Sequence, residues 1–512
     1  MTSSIAPQAV SATTAPPRAG RREWMALAVL MLPVLLVAVD GTVLDLAIPS
    51  MSMHLHPSAN ELLWIMDIYP LVLAGLLVSM GSLADRIGRR RLLLIGSFGF
   101  TVVSVFAAFA PTAGALIGAR ALLGFFGAML MPSTLSLLRN TFADATQRRT
   151  AVAIWAACFS GGAALGPIVG GFLLENYWWG AVFLLSVPVM IPLLALAPFL
   201  IRESKDPHPG PIDPLSIGLS FAAMVPTIFG IKMLAQEGIS VAGLAMLVGG
   251  LAVGALFVRR QLRRTTPMLD VTLFRNPVFS GAVLVNLISV FSLVGFLYYV
   301  SQHLQLVTGQ SPTEAAFTLV PGLVVSIATG LLAAPLARKI RPGMLVAVGL
   351  MLNAAGFFVV ILNSSGSVPG LMLAFAILGA GVGMAETISN DLILSAAPPA
   401  KAGAASAISE TAYEVGVVLG TAVLGSILAA AYRSNVALPE MLTGEGRESA
   451  SQTLGGAIDA ASTLPAGPAQ ALVESARHAF DSGSGTVAAV GVVLMLLATV
   501  MSLITLRRVK AS

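Results

Sequence analysis

The sequence predicts an all-α membrane protein that crosses the bilayer fourteen times. Of its 512 residues, 56% are hydrophobic and only 10% are charged, where a soluble domain carries about 25% charged residues. Too few charges remain to cover a water-facing surface, and the mean hydropathy of +0.88 agrees. Apolar runs long enough for a hydrocarbon core of about 30 Å recur along the chain. Finally, lysine and arginine fall on alternate loops, as the positive-inside rule demands.

The first 20 residues are rich in Ser, Thr, Ala and Pro and lack the apolar stretch of a secretory signal, so 1–22 reads as a disordered cytoplasmic tail. Arg21 and Arg22 then precede the first apolar run. Spans are predicted at 24–49, 60–82, 91–110, 114–138, 149–174, 180–201, 214–234 and 239–258. Six more follow at 277–300, 315–337, 342–363, 367–395, 403–432 and 485–507. With the N-terminus inside, the inner segments hold clusters such as Arg86, Arg89, Arg90 and Arg91, or Arg259, Arg260, Arg263 and Arg264. The short outer loops hold almost none, which places both termini in the cytoplasm. Trp24, Trp178 and Trp179 fit an interfacial aromatic belt. The outer stretch 433–484 is rich in Ala, Ser and Gly and is expected to form a hairpin or short helix over the outer mouth. Cys158 is the single cysteine and forms no intrachain disulfide.

A repeat joins the fifth and thirteenth spans at an offset of 254. Ala151, Ala153, Ile154, Gly162, Leu165, Gly166 and Gly171 match Ala405, Ala407, Ile408, Gly416, Leu419, Gly420 and Gly425. Two parallel six-helix halves with two helices inserted between them produce that pairing. The boundaries this suggests are 23–204 for the first half, 205–265 for the inserted pair and 266–512 for the second half.

Four motifs stand on these spans. After the second comes Gly81-Ser-Leu-Ala-Asp85-Arg86-Ile-Gly88-Arg89-Arg90-Arg91. Asp85 can accept charge-assisted hydrogen bonds or cap a helix, while Gly81 and Gly88 permit close approach and a tight turn. The fourth span carries Arg120 within an apolar run, followed by Gly124 and Gly127. In the fifth, Gly162, Gly166 and Gly170 share one face beside Pro167 and Gly171, a pattern for close helix contact and a kink. The first reads Asp40-Gly41-Thr42-Val43-Leu44-Asp45-Leu46-Ala47-Ile48-Pro49. Together they resemble the major facilitator superfamily, and within it the fourteen-helix drug:proton antiporters, which usually have asparagine at the Asp45 position. The resemblance implies a major facilitator fold of two six-helix bundles plus two inserted helices. It implies that the loop at Gly81–Arg90 latches the halves on the cytoplasmic side and that Arg120 is linked to proton transfer. It also implies that the glycine-proline motif of the fifth span marks an exporter, and that the protein is a monomer.

The residues themselves point to cation exchange. Asp40 lies about 24 Å along the first span at 1.5 Å per residue. Asp67, Glu386, Asp391 and Asp45 are also intramembrane, and Glu410 and Glu414 share a helix face four residues apart. A charge at a helix centre costs at least about 2.5–3.5 kcal/mol, so these acids should line a cavity between the halves. The intramembrane cations Arg120 and Lys232 are too few to pair them all. A carboxyl in such a place can exchange a proton for an organic cation, because both compete for one negative charge. About 2.3 kcal/mol per charge per 100 mV and about 1.36 kcal/mol per pH unit are available to drive it. Phe159, Met129, Tyr69 and Tyr413 are candidates to receive the apolar part of a drug.

The expected function is proton-coupled efflux of lipophilic cations such as dyes, quaternary ammonium biocides and fluoroquinolones. A dedicated exporter of an endogenous antibiotic or lipid is the alternative on the same scaffold. Nothing points to an enzyme, a cofactor, a metal or nucleic acid. His54, His56, His208, His303 and His478 are scattered, and there is no nucleophile elbow or phosphate-binding glycine loop followed by lysine.

Overall fold

The computed structural model describes residues 19–205, 213–363, 366–398 and 401–507. Among these residues every long element is a helix, and fourteen are long and apolar enough to span a membrane. They are α1 (Arg21–Leu55), α2 (Ala59–Ile87), α3 (Arg89–Ala108), α4 (Ala113–Thr141), α5 (Thr150–Asn176), α6 (Ala181–Leu200), α7 (Pro214–Leu234) and α8 (Val241–Arg263). They continue with α9 (Pro277–Val307), α10 (Pro312–Ala337), α11 (Pro342–Leu362), α12 (Val368–Ala396), α13 (Ala404–Asn435) and α14 (Ala466–Thr505). Most of the expected tail lies outside the described residues, and Arg21 and Arg22 already belong to α1.

Packing repeats at an offset of eight helices. In the first half α1 packs on α5, α2 on α4 and α3 on α6; in the second α9 packs on α13, α10 on α12 and α11 on α14. The sequence repeat has a physical counterpart here. A Cβ at Gly162 would stand 3.0 Å from the Leu35 carbonyl oxygen of α1, and one at Gly416 would stand 2.6 Å from that of Leu287 in α9. The same surface is thus used twice to bring two backbones together. The inserted helices α7 and α8 pack on each other; α7 lies against α2 and α13, while α8 meets only the start of the second half, where Gln261 accepts from the Met268 amide at 2.8 Å, among the contacts of the described residues.

The start of α1 and the end of α14 lie on one face, called here the terminal face. On it Asp213 caps α7, accepting from the Ser216 amide at 3.3 Å, and pairs with Arg260 at the end of α8 at 3.0 Å. Burial works to raise this carboxyl, but hydrogen bonds from Arg260 and Ser216 win and hold it down at about 2.

The last helix differs from expectation. It begins at Ala466, well before 485, and is preceded by two short helices, Gly444–Gln452 and Leu454–Ala461. Residues 466–484 are small and polar, so hydropathy alone does not see them. Docking orders them instead: Arg477 donates to the Leu306 carbonyl at 3.0 Å, Asp481 stands 3.0 Å from buried His303, and Phe480 stacks on Tyr299. At this opposite face the short helices bridge the halves. A Cβ at Gly455 would stand 2.6 Å from Ser52 of α1, and the Tyr432 hydroxyl of α13 donates to the Ala450 carbonyl at 2.8 Å.

Candidate functional site

The acids fall into a file running from the terminal face toward the opposite one. Asp391 is exposed near the end of α12. Next come Glu386 of α12 and Glu410 of α13, in electrostatic contact, and then Glu414, which feels Glu410 one turn away. Among the described residues no Lys or Arg pairs with these three glutamates. They lie deep among protein atoms yet keep half-buried, water-accessible surface, which marks a crevice rather than a core. Tyr413 lies within range of all three glutamates and meets Phe159 of α5 edge to face, at 6.3 Å between centroids. Trp155 stacks on Phe159 at 6.4 Å and donates through Nε1 to the Thr134 hydroxyl at 3.3 Å. A Cβ at Gly161 or Gly41 would meet nothing within 4 Å, so α5 and α1 border open space at this depth.

Asp40 departs from expectation. It is not free: Arg120 Nη1 stands 3.0 Å from Asp40 Oδ2, with both side chains almost wholly buried. The guanidinium also donates through Nε to the Ile65 carbonyl at 3.2 Å and lies 4.5 Å over the Tyr69 ring. Arg120 therefore points into the half-bundle instead of snorkelling to headgroups. Its nearby glycines make room for α2, since a Cβ at Gly124 would stand 2.6 Å from the Tyr69 carbonyl and one at Gly127 3.2 Å from its hydroxyl. Tyr69 in turn lies within electrostatic range of both Asp40 and Glu414. It thus bridges the paired acid of the first half and an unpaired acid of the second.

Two more acids lie beyond. Asp45 is buried with Oδ1 unpartnered, within range of Arg120. Asp67 is fully buried 2.7 Å from Lys232 of α7. The expectation of unpaired acids thus holds for the second half and fails for Asp40 and Asp67, whose counter-cations come from helices far away in sequence. Met129 also fails as a lining residue. It is buried, and its Cβ is 2.8 Å from where a Cβ at Gly96 would stand, so it packs α4 on α3. A polar recess of about 450 Å³ bounded by Arg22, Asn140, Arg202 and Glu203 belongs to the first half alone and lies apart from the acids.

The glycine-proline motif is a helix joint. Gly162, Gly166 and Gly170 face α1, where added Cβ atoms would come within 2.8 Å of Ala38, 3.1 Å of the Val39 carbonyl and 2.6 Å of Val43. Pro167 cannot donate to the carbonyl four residues back, and the Thr42 hydroxyl takes that Ala163 carbonyl at 3.0 Å. Gly171 faces the other half, where a Cβ would stand 2.8 Å from the Pro312 carbonyl of α10.

Among the described residues, the contacts that Asp85, Arg89 and Arg90 make in the loop after α2 stay within the first half. Asp85 accepts from Arg89 at 2.9 and 2.8 Å, four residues away, and Arg90 donates to the Pro198 and Ile201 carbonyls at 3.0 Å. Gly88 has a φ of +113°, and a Cβ there would collide with Glu203 at 2.7 Å. Arg86 is exposed, and Gly81 has only an ordinary contact, 3.8 Å to Pro132. Glu203, not foreseen from the sequence, accepts from the Arg90 and Arg91 amides at 3.0 and 3.2 Å and so caps α3. An acid just after the sixth span, facing a basic helix start, was its only signal. At the opposite face the halves are joined where Gln305 of α9 donates to the Leu46 carbonyl of α1 at 3.0 Å.

The family model of the Major Facilitator Superfamily matches residues 30–421. The chain belongs to that superfamily. It is 52% identical to the multidrug efflux pump LfrA of Mycolicibacterium smegmatis, over 98% of this chain and 99% of that one. It is 37% identical to the methyl viologen resistance protein SmvA of Salmonella typhimurium, over 94% and 98%. A tetracenomycin C resistance and export protein of Streptomyces glaucescens is 32% identical over 94% and 92%. Among solved structures, a bacterial homolog to the human lysosomal transporter Spinster, inward-facing and unoccupied, superposes with a TM-score of 0.67 at 18% identity, covering 96% of this chain and 99% of that chain. It shares the fold.

Proposed function

We propose that this chain is a proton-coupled antiporter that exports lipophilic cations through the cytoplasmic membrane, as a monomer with both termini in the cytoplasm. The observation that carries this reading is the group Glu386, Glu410 and Glu414, three carboxylates without a basic partner in a wet crevice roofed by Tyr413 and Phe159. An acid shared with water and neighbouring aromatic rings suits a greasy cation, which needs one negative charge and one π face. A proton suits the same acid, so the two ligands exclude each other. With the terminal face in the cytoplasm, the described conformation is inward-facing, the state in which an exporter loads. The relatives support drug efflux, and methyl viologen is itself an organic dication.

Asp40 and Arg120 have a different part. Their pair is sealed, so it does not load a drug in this conformation. Tyr69 lies between the pair and Glu414, so a change of charge at Glu414 is felt by Arg120 and passed to the first half.

Ethidium efflux from loaded cells tests the reading. Export should collapse with a protonophore and be lost in Glu410→Gln and Glu414→Gln. Energised export that survives the protonophore defeats proton coupling, and native export by both variants removes the glutamates from the cation site. The alternative, export of a single antibiotic, has the tetracenomycin relative behind it. A panel of unrelated cations separates the two, since a dedicated exporter moves none of them.

A further inference from the structure

The inserted helices form the least integrated part of the fold. Much of α8 is exposed, and it is α7 that lies against the spanning helices α2 and α13. Yet α7 carries Lys232, which is 1% exposed and paired with Asp67, which is 0% exposed. The pair sits where three bodies meet. Asp67 belongs to α2 of the first half and Lys232 to the inserted pair, while the Thr421 hydroxyl beside the carboxylate belongs to α13 of the second half. Around it a small apolar cluster draws on the same three sources, with Leu71 from α2, Ile228 from α7, and Val418 and Ala422 from α13. Trp64 of α2 stacks on Phe229 of α7 at 6.5 Å, and the Lys232 ammonium lies 4.1 Å over the Trp64 ring. Thr421 opens a five-residue π-helical stretch, Thr421–Gly425, a departure from regular helix that concentrates at working sites. Among the described residues, the other titratable group facing this pocket is Tyr298 of α9, which feels both Asp67 and Asp45.

A pair this well sealed cannot exchange protons with water while the seam between α2 and α13 is shut. A fully buried carboxylate also needs a neutralising charge at all times. We propose that Lys232 is a positioning residue for the exchange cycle. It neutralises Asp67 while the seam is closed, and when the seam opens to the outside a proton takes over that task. The released ammonium then rests on the Trp64 face, which already lies beneath it. On this account α7 is part of the coupling device: it favours the closed seam, and a proton from outside captures and holds the open one. The inference rests on the proton-exchange reading above and adds a residue and a helix that the drug crevice does not use.

The test uses the single-cysteine nature of the chain. In a Cys158→Ser background, Ala429→Cys places a thiol on the α13 side of the outer seam, opposite Ala59 and Leu62 of α2. Labelling by a membrane-impermeant maleimide reads seam opening in full-length protein in right-side-out vesicles. With the native pair, labelling should rise several-fold when the external medium is acidified. It should be flat in the Lys232→Met/Asp67→Asn double variant, whose neutral pair keeps the native Tm, and Lys232→Arg should restore the response. A structural role alone predicts a full response in the double variant, and that result overturns the proposal, as does flat labelling with the native pair. If the double variant does not fold, Asp67→Asn decides in its place by the same two outcomes. Protonophore-sensitive ethidium efflux is measured in parallel. Sensitive efflux with a pH-insensitive seam sinks the Lys232 proposal alone, whereas insensitive efflux sinks the exchange reading.

Discussion

Phe159 of α5 and Tyr413 of α13 meet edge to face at 6.3 Å between ring centroids, the place where the two halves touch directly above the unpaired glutamates. Because one ring belongs to each half, any rocking of the halves separates this contact. In the proposed exchange, a cation wedged between the rings and the carboxylates would report its presence to both halves at once. Phe159→Ala should raise the ethidium concentration needed for half-maximal efflux about tenfold, as loss of a desolvated ring face costs about 1–2 kcal/mol. Phe159→Tyr should keep native efflux, and efflux titrations of both variants check this.

The glutamates and the Asp40–Arg120 pair should answer oppositely to neutralisation. Glu410→Gln and Glu414→Gln remove buried charges that have no basic partner, so Tm should hold or rise while efflux is lost. A fall in Tm matching that of a core cavity would mean that these carboxylates are structural.

Asp40→Asn leaves Arg120 charged and buried. Breaking a buried pair by removing one partner costs about 3–5 kcal/mol, so Tm in detergent should drop clearly. Arg120→Gln together with Asp40→Asn should recover most of it without recovering efflux. Thermal melts of the single and double variants close the cycle.

Thr42→Val should uncover the carbonyl that Pro167 leaves free. An unsatisfied buried acceptor costs about 1–3 kcal/mol. In a Pro167→Ala background the amide returns and the same substitution should be nearly neutral. Equal costs in both backgrounds would detach Thr42 from the proline.

Asp213 gives a prediction with a definite pH sign. Its folded carboxyl is depressed to about 2 from an ordinary 3.8. Its contribution, on the order of 2 kcal/mol, is therefore fully present above the ordinary value and lost as pH falls through about 2. At neutral pH, Asp213→Asn should loosen the end where α7 meets α8, seen as faster hydrogen exchange around Ser216. Unchanged exchange there would refute the anchoring role.

How much was legible follows from what each feature depends on. The fourteen spans were readable because hydrocarbon demands apolar length. The glycines of α5 were readable because close approach demands the absence of a side chain, and their contacts with Leu35 through Val43 confirm the reason. Partnership was not readable. Arg120 reaches Asp40 across eighty residues, and Lys232 reaches Asp67 from a helix inserted between the halves; charge counting gave the number of cations but not their mates. The polar first half of α14 was invisible for another reason. Its order comes from docking on α9, and hydropathy does not measure docking.

One correspondence reaches further. At the repeat offset of 254, Pro167 of α5 falls on Thr421, the first residue of the π-helical stretch of α13. Each half thus carries a loosened backbone at the same depth, one made by a missing donor and the other by a widened turn. Bending can be divided between two matched knees, so neither helix must give up its glycine seam for the molecule to change shape.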